Sequence, residues 1–307
     1  MGGWALTASG LGGFIRNSHS QDQQFSGKSS DSQYLIKRRF RQKSGDGFRI
    51  REESVKLDVA ATALIICDVW DLHHCKNAVD RVVELAPRID RLTRYLRAQG
   101  SLIIHAPSSC MDFYKGQPAR IRSGSLPQAS NVPSDIGQWC HWMPGGEEEA
   151  NYPIDQSDGG CDSDPIQQKI FRQKLIDAGK NPDAPWTHQI PSIFIDQTRD
   201  YISDNGVEVW NMLEHHNISN VLLTGVHTNM CVLGRPFGLR QMAKNGKNVH
   251  LLRDLTDTMY NPQSAPFVSH FEGTNRIIQH IEKYVCPTTT SSEFTGGQPF
   301  RFSGDHA

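Results

Sequence analysis

The stretch VLLTGVHTNMCVLGRPFGLRQM, residues 221–242, contains the pattern that decides the fold. Residues 221–224 form an apolar run typical of a buried strand in a parallel sheet, and residues 230–243 carry helical spacing. Cys231 lies where the predicted strand passes into the predicted helix. Unpaired N–H groups and the helix dipole at such a junction favour the thiolate, so the position predicts a reactive thiol. The alternative is a small buried hydrophobic residue, as many free cysteines are.

A second apolar run ends in an acidic residue. Residues 61–67, ATALIIC, predict another buried strand, and Asp68 follows it directly. Such a carboxylate caps a helix, pairs with a cation or takes part in chemistry. If the two strands are parallel neighbours, Asp68 and Cys231 project from the same sheet edge, where open α/β sheets bind ligands. Asp68 would then take the thiol proton and return it to a leaving group.

Strands and helices alternate along the rest of the chain. This order predicts an α/β fold of three layers, a Rossmann-like, mostly parallel sheet with helices on both faces. The predicted strands are 61–67, 101–105, 192–195, 221–224 and 249–252. The predicted helices are 78–99, 165–178, 207–216, 230–243 and 275–284.

The element GVHTNMCV, residues 225–232, together with an aspartate that closes an earlier strand, resembles the isochorismatase-like cysteine hydrolases. This superfamily includes nicotinamidases and carbamoylsarcosine amidohydrolases, and the similarity covers residues 56–287. The resemblance implies that Cys231 is the nucleophile and Asp68 its acid–base partner. It also implies a non-proline cis peptide bond just before His227 and an oxyanion hole formed by the backbone N–H groups of His227 and Cys231.

The chain departs from this family at its third catalytic residue, a lysine. Residues 190–213, which match the segment that carries it, contain no lysine. The nearest cation is Arg199, whose guanidinium stays charged and cannot carry a proton. Arg199 is therefore predicted to hold Asp68 or Cys231 electrostatically, with a solvated loop residue as the alternative.

Composition argues against several classes of protein. A chain of 307 residues can bury a sizeable core, and its net charge of −1 gives no general attraction to nucleic acid or membranes. The seven cysteines show no pairwise spacing, which argues against a disulfide framework and favours a reducing compartment. No apolar run approaches the roughly 20 residues that span a bilayer. We expect a cytoplasmic enzyme with a small-molecule substrate, assembled as a homo-oligomer as related hydrolases commonly are.

Both ends of the chain differ from the predicted hydrolase domain, residues 56–287. Residues 1–55 are rich in Ser, Gln and Gly and carry a basic cluster, so we expect a disordered N-terminal extension. Residues 288–307 include Phe294, Phe300 and Phe302 and are unusually apolar for a free terminus. We expect this tail to pack on the domain or on a neighbouring subunit.

One connection, residues 106–189, is far longer than an ordinary loop. It leaves the carboxyl end of a predicted strand at His105 and carries several tryptophans and histidines. We interpret it as a lid that shapes the substrate pocket, with a surface excursion packed on its own tryptophans as the alternative. The predicted substrate-binding residues are Trp70, His105 and Trp142.

Histidines near the same sheet edge raise the question of a metal. The zinc site of nicotinamidases has no counterpart after the second strand, because HAPSSCMDFY lacks an Asp-x-His pair. Asp71 and His73 provide such a pair at a different place, with His105 as a third predicted zinc ligand. Hydrogen-bonded structural histidines are the alternative.

Together these patterns predict a cysteine-dependent hydrolase of a small amide, or of a related C–N bond, acting through a thioester and requiring no cofactor. Two alternatives stay open. One is a zinc-assisted amidase similar to nicotinamidases, and the other is a non-catalytic, ligand-binding member that lacks the family lysine.

Overall fold

The computed structural model describes residues 33–306. Its strands are β1 Gln33–Ser44, β2 Gly47–Asp58, β3 Thr62–Cys67, β4 Leu102–Ala106, β5 Tyr201–Ile202, β6 Asn220–Val226, β7 Asn248–Asp257 and β8 Thr288–Thr289. Its helices are α1 Lys76–Gln99, α2 Met111–Tyr114, α3 Pro118–Ser125, α4 Pro165–Asp177, α5 Gly206–His215, α6 Leu239–Lys244, α7 His270–Tyr284 and α8 Ser292–Thr295. A π-helical turn, Thr228–Val232, follows β6.

These strands form one sheet in the order β2-β1-β8-β7-β6-β3-β4-β5. Neighbouring strands from β8 to β5 run parallel, whereas β1 is antiparallel to both β2 and β8. Each face of the sheet buries its own apolar cluster. Helix α1 and the C-terminal segment cover one face, and α5, α6 and α7 cover the other. The predicted three-layer, mostly parallel α/β fold is confirmed.

The central strand β3 shows why this architecture follows from the sequence. All six of its residues are buried, because layers on both faces of the sheet exclude water. Leu64 and Ile66 face the cluster that contains α1, whereas Ala63 and Ile65 face the opposite cluster. A continuous apolar run is therefore the expected pattern for this strand.

Two predicted elements are wrong. Residues 192–195 form no strand, because their backbone groups bond to side chains instead of a sheet ladder. The Phe194 N–H donates to Asp90 at 2.8 Å, and the Ile193 carbonyl accepts from the Gln189 amide at 3.2 Å. The predicted helix 230–243 is interrupted around Pro236, so that only the π-helical turn and α6 remain. Proline lacks the N–H that a continuous helix requires.

The N-terminal prediction needs correction over residues 33–55. These residues belong to the β1–β2 hairpin, whose register runs from Gln33 opposite Asp58 to Ser44 opposite Gly47. Tyr34 and Ile36 of β1 are buried against the α1 face of the core. This burial anchors the hairpin to the domain. The rest of the predicted extension, residues 1–32, lies outside the described residues.

The C-terminal tail packs on its own domain as far as residue 306. Phe294 and Phe302 are buried in the cluster that contains α1, and the Phe302 ring stacks on Phe271 with centroids 5.6 Å apart. β8 adds a short strand between β1 and β7. The tail therefore adds a strand to the sheet and covers part of the face on which α1 packs.

The insertion, residues 106–189, contains α2, α3 and α4 and is fastened to the domain by a buried ion pair. Glu147 accepts hydrogen bonds from Arg240 of α6, with Nε 2.9 Å from Oε2, and lies 2.8 Å from His280 of α7. These contacts hold the pKa of Glu147 down to about 2 against the opposing effect of burial. Within residues 33–306, no helix is both long and apolar enough to cross a membrane.

Candidate active site

The carboxyl ends of β3 and β6 bring the two predicted catalytic residues together. The strands are parallel neighbours, with Cys67 opposite Gly225, so Asp68 and the π-helical turn leave the sheet at the same edge. The approach is so close that a Cβ on Gly225 would lie 1.9 Å from the Cys67 carbonyl oxygen. Glycine at this position therefore allows the two strand ends to meet.

Asp68 is fully buried, and several donors surround its carboxylate. Oδ1 accepts the Ser108 backbone N–H at 2.7 Å, and Oδ2 accepts Nε of Arg235 at 3.0 Å. The Cys231 thiol also donates to this carboxylate. Burial raises the pKa of Asp68, while Arg235 and the hydrogen bonds oppose that rise.

Cys231 lies on the π-helical turn and is 8% exposed. Its sulfur accepts the backbone N–H of His227 as well as facing Asp68. Burial and then the charge of Asp68 raise the pKa of the thiol, with Arg235 opposing them. The prediction of a thiolate favoured by a helix N-terminus is therefore wrong. The cis peptide bond implied by the family resemblance is present between Val226 and His227.

Arg235, which the sequence analysis missed, is the cation at this site. Its guanidinium pairs with Asp68 and also lies over the Trp139 ring, 4.9 Å from the centroid. The backbone N–H of Arg235 donates to the Cys231 carbonyl at 3.0 Å, which fixes the arginine one turn beyond the thiol. Its position four residues after Cys231 is the signal that would have found it, because such residues share a helix face.

Arg199 is not at the site, so the prediction of its catalytic role is wrong. Its Nε pairs with Asp196 at 2.7 Å, and its side chain is 60% exposed. It borders a surface pocket shared with Gly100 and Ser101, which precede β4 at the opposite edge of the sheet. The solvated alternative describes this residue correctly.

A stack of aromatic rings follows Asp68 along the chain. Trp70 stacks on Trp186 of the insertion, with centroids 4.8 Å apart, and His73 stacks beside both rings. The His73 ring meets the His227 ring edge-on at 4.7 Å. Burial lowers the pKa of His227 to about 3, so its imidazole is neutral at ordinary pH. Trp70 therefore belongs to a wall of aromatic rings, formed with Trp186 and His73, that extends to His227 just before the π-helical turn.

The other two predicted substrate-binding residues have different positions. His105 is fully buried, with its ring nitrogens 2.8 Å from Gln189 and 3.0 Å from Asp200, so it is a structural histidine and its predicted role is wrong. Trp142 is 43% exposed and lies against Tyr152, whose hydroxyl donates to the Asn229 carbonyl. Substrate binding by Trp70 and Trp142 stays a prediction.

The three predicted zinc ligands do not converge. The Asp71 carboxylate accepts backbone N–H groups of Thr187 and His188, and Nδ1 of His73 accepts the Cys75 N–H. His105 is engaged as described above. Across residues 33–306, no group of three or more His, Cys, Asp or Glu side chains is arranged to hold a metal ion.

Comparisons with known proteins give distant similarities of structure alone. No family model and no curated protein matches the sequence. The chain is similar to the solved structure of a cysteine hydrolase from Pseudomonas syringae pv. phaseolicola 1448A, with 15% identity and a TM-score of 0.44, over 77% of this chain and 92% of that one. It is also similar to an isochorismatase family protein from Burkholderia thailandensis, with 15% identity and a TM-score of 0.41, over 76% and 93%. With similarities this distant, a functional proposal has to rest on the site itself.

Proposed function

We propose that this protein is a cysteine-dependent hydrolase of a small amide, or of a related C–N bond beside a carbonyl. The observation that carries the proposal is the hydrogen bond from the Cys231 thiol to the buried Asp68 carboxylate, at the carboxyl edge of two adjacent parallel strands. A thiol hydrogen-bonded to a base that is itself oriented by a third group, here Arg235, has the arrangement of an activated nucleophile.

Attack and proton transfer occur together in the proposed reaction. Because burial and the charge of Asp68 raise the pKa of Cys231, the thiol keeps its proton until a carbonyl carbon arrives. As sulfur attacks, Asp68 takes that proton and then donates it to the leaving nitrogen, which departs as an amine or ammonia. Asp68 next deprotonates a water molecule that hydrolyses the thioester, and the proton returns to the sulfur.

Backbone groups would stabilise the oxyanion formed in each step. The His227 N–H already points at the Cys231 sulfur, so it lies beside the atom that attacks. We propose that this N–H and the N–H of Cys231 donate hydrogen bonds to the carbonyl oxygen of the substrate. The neutral imidazole of His227 adds no competing charge at ordinary pH.

Arg235 supplies the positive charge that the family lysine would bring. It favours the ionised form of Asp68 and orients the carboxylate, but a guanidinium does not exchange protons in this pH range. The proton cycle therefore runs through Asp68 alone. This division of labour argues against a non-catalytic role based on the missing lysine.

The exposure of Cys231 favours a small substrate. Only 8% of the residue is accessible, so a folded protein could not bring a peptide bond to its sulfur. We propose that the insertion acts as a lid over this edge, since Tyr152 contacts Asn229 within the π-helical turn.

Turnover of a panel of small amides and N-carbamoyl compounds by the purified protein tests the proposal. Cys231→Ala should abolish hydrolysis, whereas Cys286→Ala, which removes another buried free thiol, should not. Ligand binding without turnover would favour the non-catalytic alternative. Hydrolysis that survives Cys231→Ala and is lost on treatment with a chelator would favour the zinc-assisted amidase.

A further inference from the structure

Two cysteines outside the proposed active site lie in contact. Cys75 immediately precedes α1 and is fully buried, whereas Cys161 lies in the insertion and is partly exposed. Their sulfurs are 3.2 and 3.6 Å from the Ser163 hydroxyl oxygen, and the two thiols hydrogen-bond each other. A solvent-accessible thiol and a buried thiol are thus neighbours.

The surrounding chain holds the pair together through contacts that involve neither sulfur. The Asn77 backbone N–H donates to the Ser163 hydroxyl at 3.0 Å, and Arg81 binds the Asp162 carboxylate through two nitrogens at 2.8 and 3.1 Å. Gly160 permits the close approach, because a Cβ there would lie 2.4 Å from the Met259 carbonyl oxygen. The segment that carries Cys161 is therefore fixed on the first two turns of α1.

The two thiols differ in acidity in the way that thiol chemistry requires. The hydrogen bond from Cys75 is the largest influence on Cys161 and, with donors from Ser163, lowers its pKa to about 6 despite burial and Asp162. The same hydrogen bond and then burial raise the pKa of Cys75. Cys161 is therefore the thiol that ionises first, and the thiolate is the nucleophilic form, whereas Cys75 is the thiol that keeps its proton.

We propose that Cys75 and Cys161 are a redox-active pair that a peroxide oxidises to a disulfide. The Cys161 thiolate attacks one peroxide oxygen, and the O–O bond breaks to leave a sulfenic acid and hydroxide. The Cys75 sulfur then attacks the sulfenic sulfur, so that the S–S bond forms and the S–O bond breaks. The departing hydroxide takes the Cys75 proton and leaves as water. The hydroxide from the first step takes up the proton that Cys161 released on ionisation, so that two thiols lose two electrons and hydrogen peroxide becomes two molecules of water.

The disulfide would join the insertion to the wall of the proposed active site. The Cys75 N–H donates to Nδ1 of His73, whose ring lies edge-on to His227. Gln156, which precedes Cys161 by five residues in the insertion, accepts a hydrogen bond from Asn229 of the π-helical turn at 2.8 Å. Oxidation therefore fixes the insertion at the place where it meets the Cys231 turn.

Peptide mapping of the full-length protein tests this proposal without reference to any hydrolytic activity. Reduced protein is treated with one equivalent of hydrogen peroxide at pH 7, and the remaining thiols are blocked with iodoacetamide before digestion without reductant. We expect a peptide pair linked through Cys75 and Cys161, reversal by dithiothreitol, and a melting temperature higher by several degrees in the oxidised form.

Two variants complete the experiment. Cys161→Ser, at a partly exposed position, should abolish the linked peptide and the shift in melting temperature. Cys140→Ser removes another cysteine of the insertion, whose thiol bonds the Trp142 carbonyl, and should change neither. The proposal is overturned if all thiols survive the peroxide, if Cys161 becomes a sulfinic acid while Cys75 stays free, or if a different cysteine pair is linked.

Discussion

The Cys231 site and the Cys161 site show how different neighbours give two thiols opposite acidities. Cys231 is buried beside the Asp68 carboxylate, and both burial and the charge of Asp68 raise its pKa. Cys161 is partly exposed and accepts a hydrogen bond from a second thiol, which lowers its pKa to about 6. The thiol that we assign to catalysis is thus the less acidic of the two.

The difference in pKa predicts two kinds of reactivity. Cys161 should react with any accessible electrophile, whereas Cys231 should react only with a bound substrate. A thiolate such as Cys161 reacts with whatever reaches it, and this suits a sensor of oxidants. In the proposed reaction, Cys231 stays protonated until Asp68 removes its proton during attack, so the reaction depends on a substrate positioned at the oxyanion donors. A neighbouring base such as Asp68 can therefore activate a cysteine thiol whose own pKa is high.

The largest expected effect on hydrolysis comes from removing the Cys231 thiol, and removal of the Cys161 thiol is the comparison. Cys231→Ala should lower kcat/KM by about 10⁴-fold or more, because no other group can form the thioester. Cys161→Ala should leave kcat/KM of the reduced protein within about threefold, since its contacts are with Cys75 and Ser163 and not with Asp68. Steady-state kinetics on the same substrate compares them, and equal losses would erase the distinction between the two sites.

Removal of the base should give the next largest effect. Asp68→Asn keeps the shape of the side chain but cannot accept the thiol proton, so hydrolysis should fall by roughly 10²–10⁴-fold. Asp204→Asn changes a nearby carboxylate that accepts the Ser109 N–H and serves as the control. Full activity of the Asp68 variant would make this residue a structural cap.

The two arginines give a matched pair of variants for the electrostatic role. Arg235 lowers the pKa of Asp68, so Arg235→Gln should raise it, and the base form should then require higher pH. The acidic limb of the kcat/KM profile should move up by about one pH unit. Arg199→Gln should leave the profile unchanged, because Arg199 pairs with Asp196 at the surface. The reverse outcome would return Arg199 to the catalytic site.

The smallest expected effect concerns the stability of the segment that carries Cys161, and two neighbouring glycines test it. Gly160→Ala combines an unfavourable φ of +73° with a clash at Met259, so it should lower the free energy of unfolding by about 2–4 kcal/mol. Gly159→Ala has φ +77° but no atom within 4 Å, and should cost only about 1 kcal/mol. Urea denaturation measures both. Equal losses would show that the close packing of Gly160 against Met259 contributes nothing to stability.

Apolar periodicity predicts most of the fold and the meeting of Asp68 with Cys231. Continuous apolar runs identify β3 and β6, and parallel pairing then brings both proposed catalytic residues to one sheet edge. The hairpin was missed because its strands are mostly polar. Its signals are the Gly45–Asp46 turn and the alternate burial of Tyr34 and Ile36, which become clear only beside α1.

Features that depend on tertiary contacts could not be predicted in the same way. The pKa of Cys231 reflects burial and the charge of Asp68, which outweigh any local influence of a helix start. His105 has the residue type of a metal ligand, but Gln189 and Asp200 occupy its ring nitrogens from distant parts of the chain. Arg199 is the nearest cation to the family's lysine position in sequence, whereas Arg235 is the cation that pairs with Asp68 in space.

Site-resolved alkylation as a function of pH tests most directly whether Asp68 controls the Cys231 proton. Iodoacetamide labelling followed by mass spectrometry gives a rate for each of the seven cysteines in one sample. In the wild-type protein, we expect Cys161 to be labelled at neutral pH and Cys231 only under strongly alkaline conditions. Asp68→Asn removes the charge that raises the pKa of Cys231, so its labelling should begin at lower pH while that of Cys161 stays the same. Rapid labelling of Cys231 at neutral pH in the wild type, or a profile that Asp68→Asn leaves unchanged, would contradict the proposed acid–base pair.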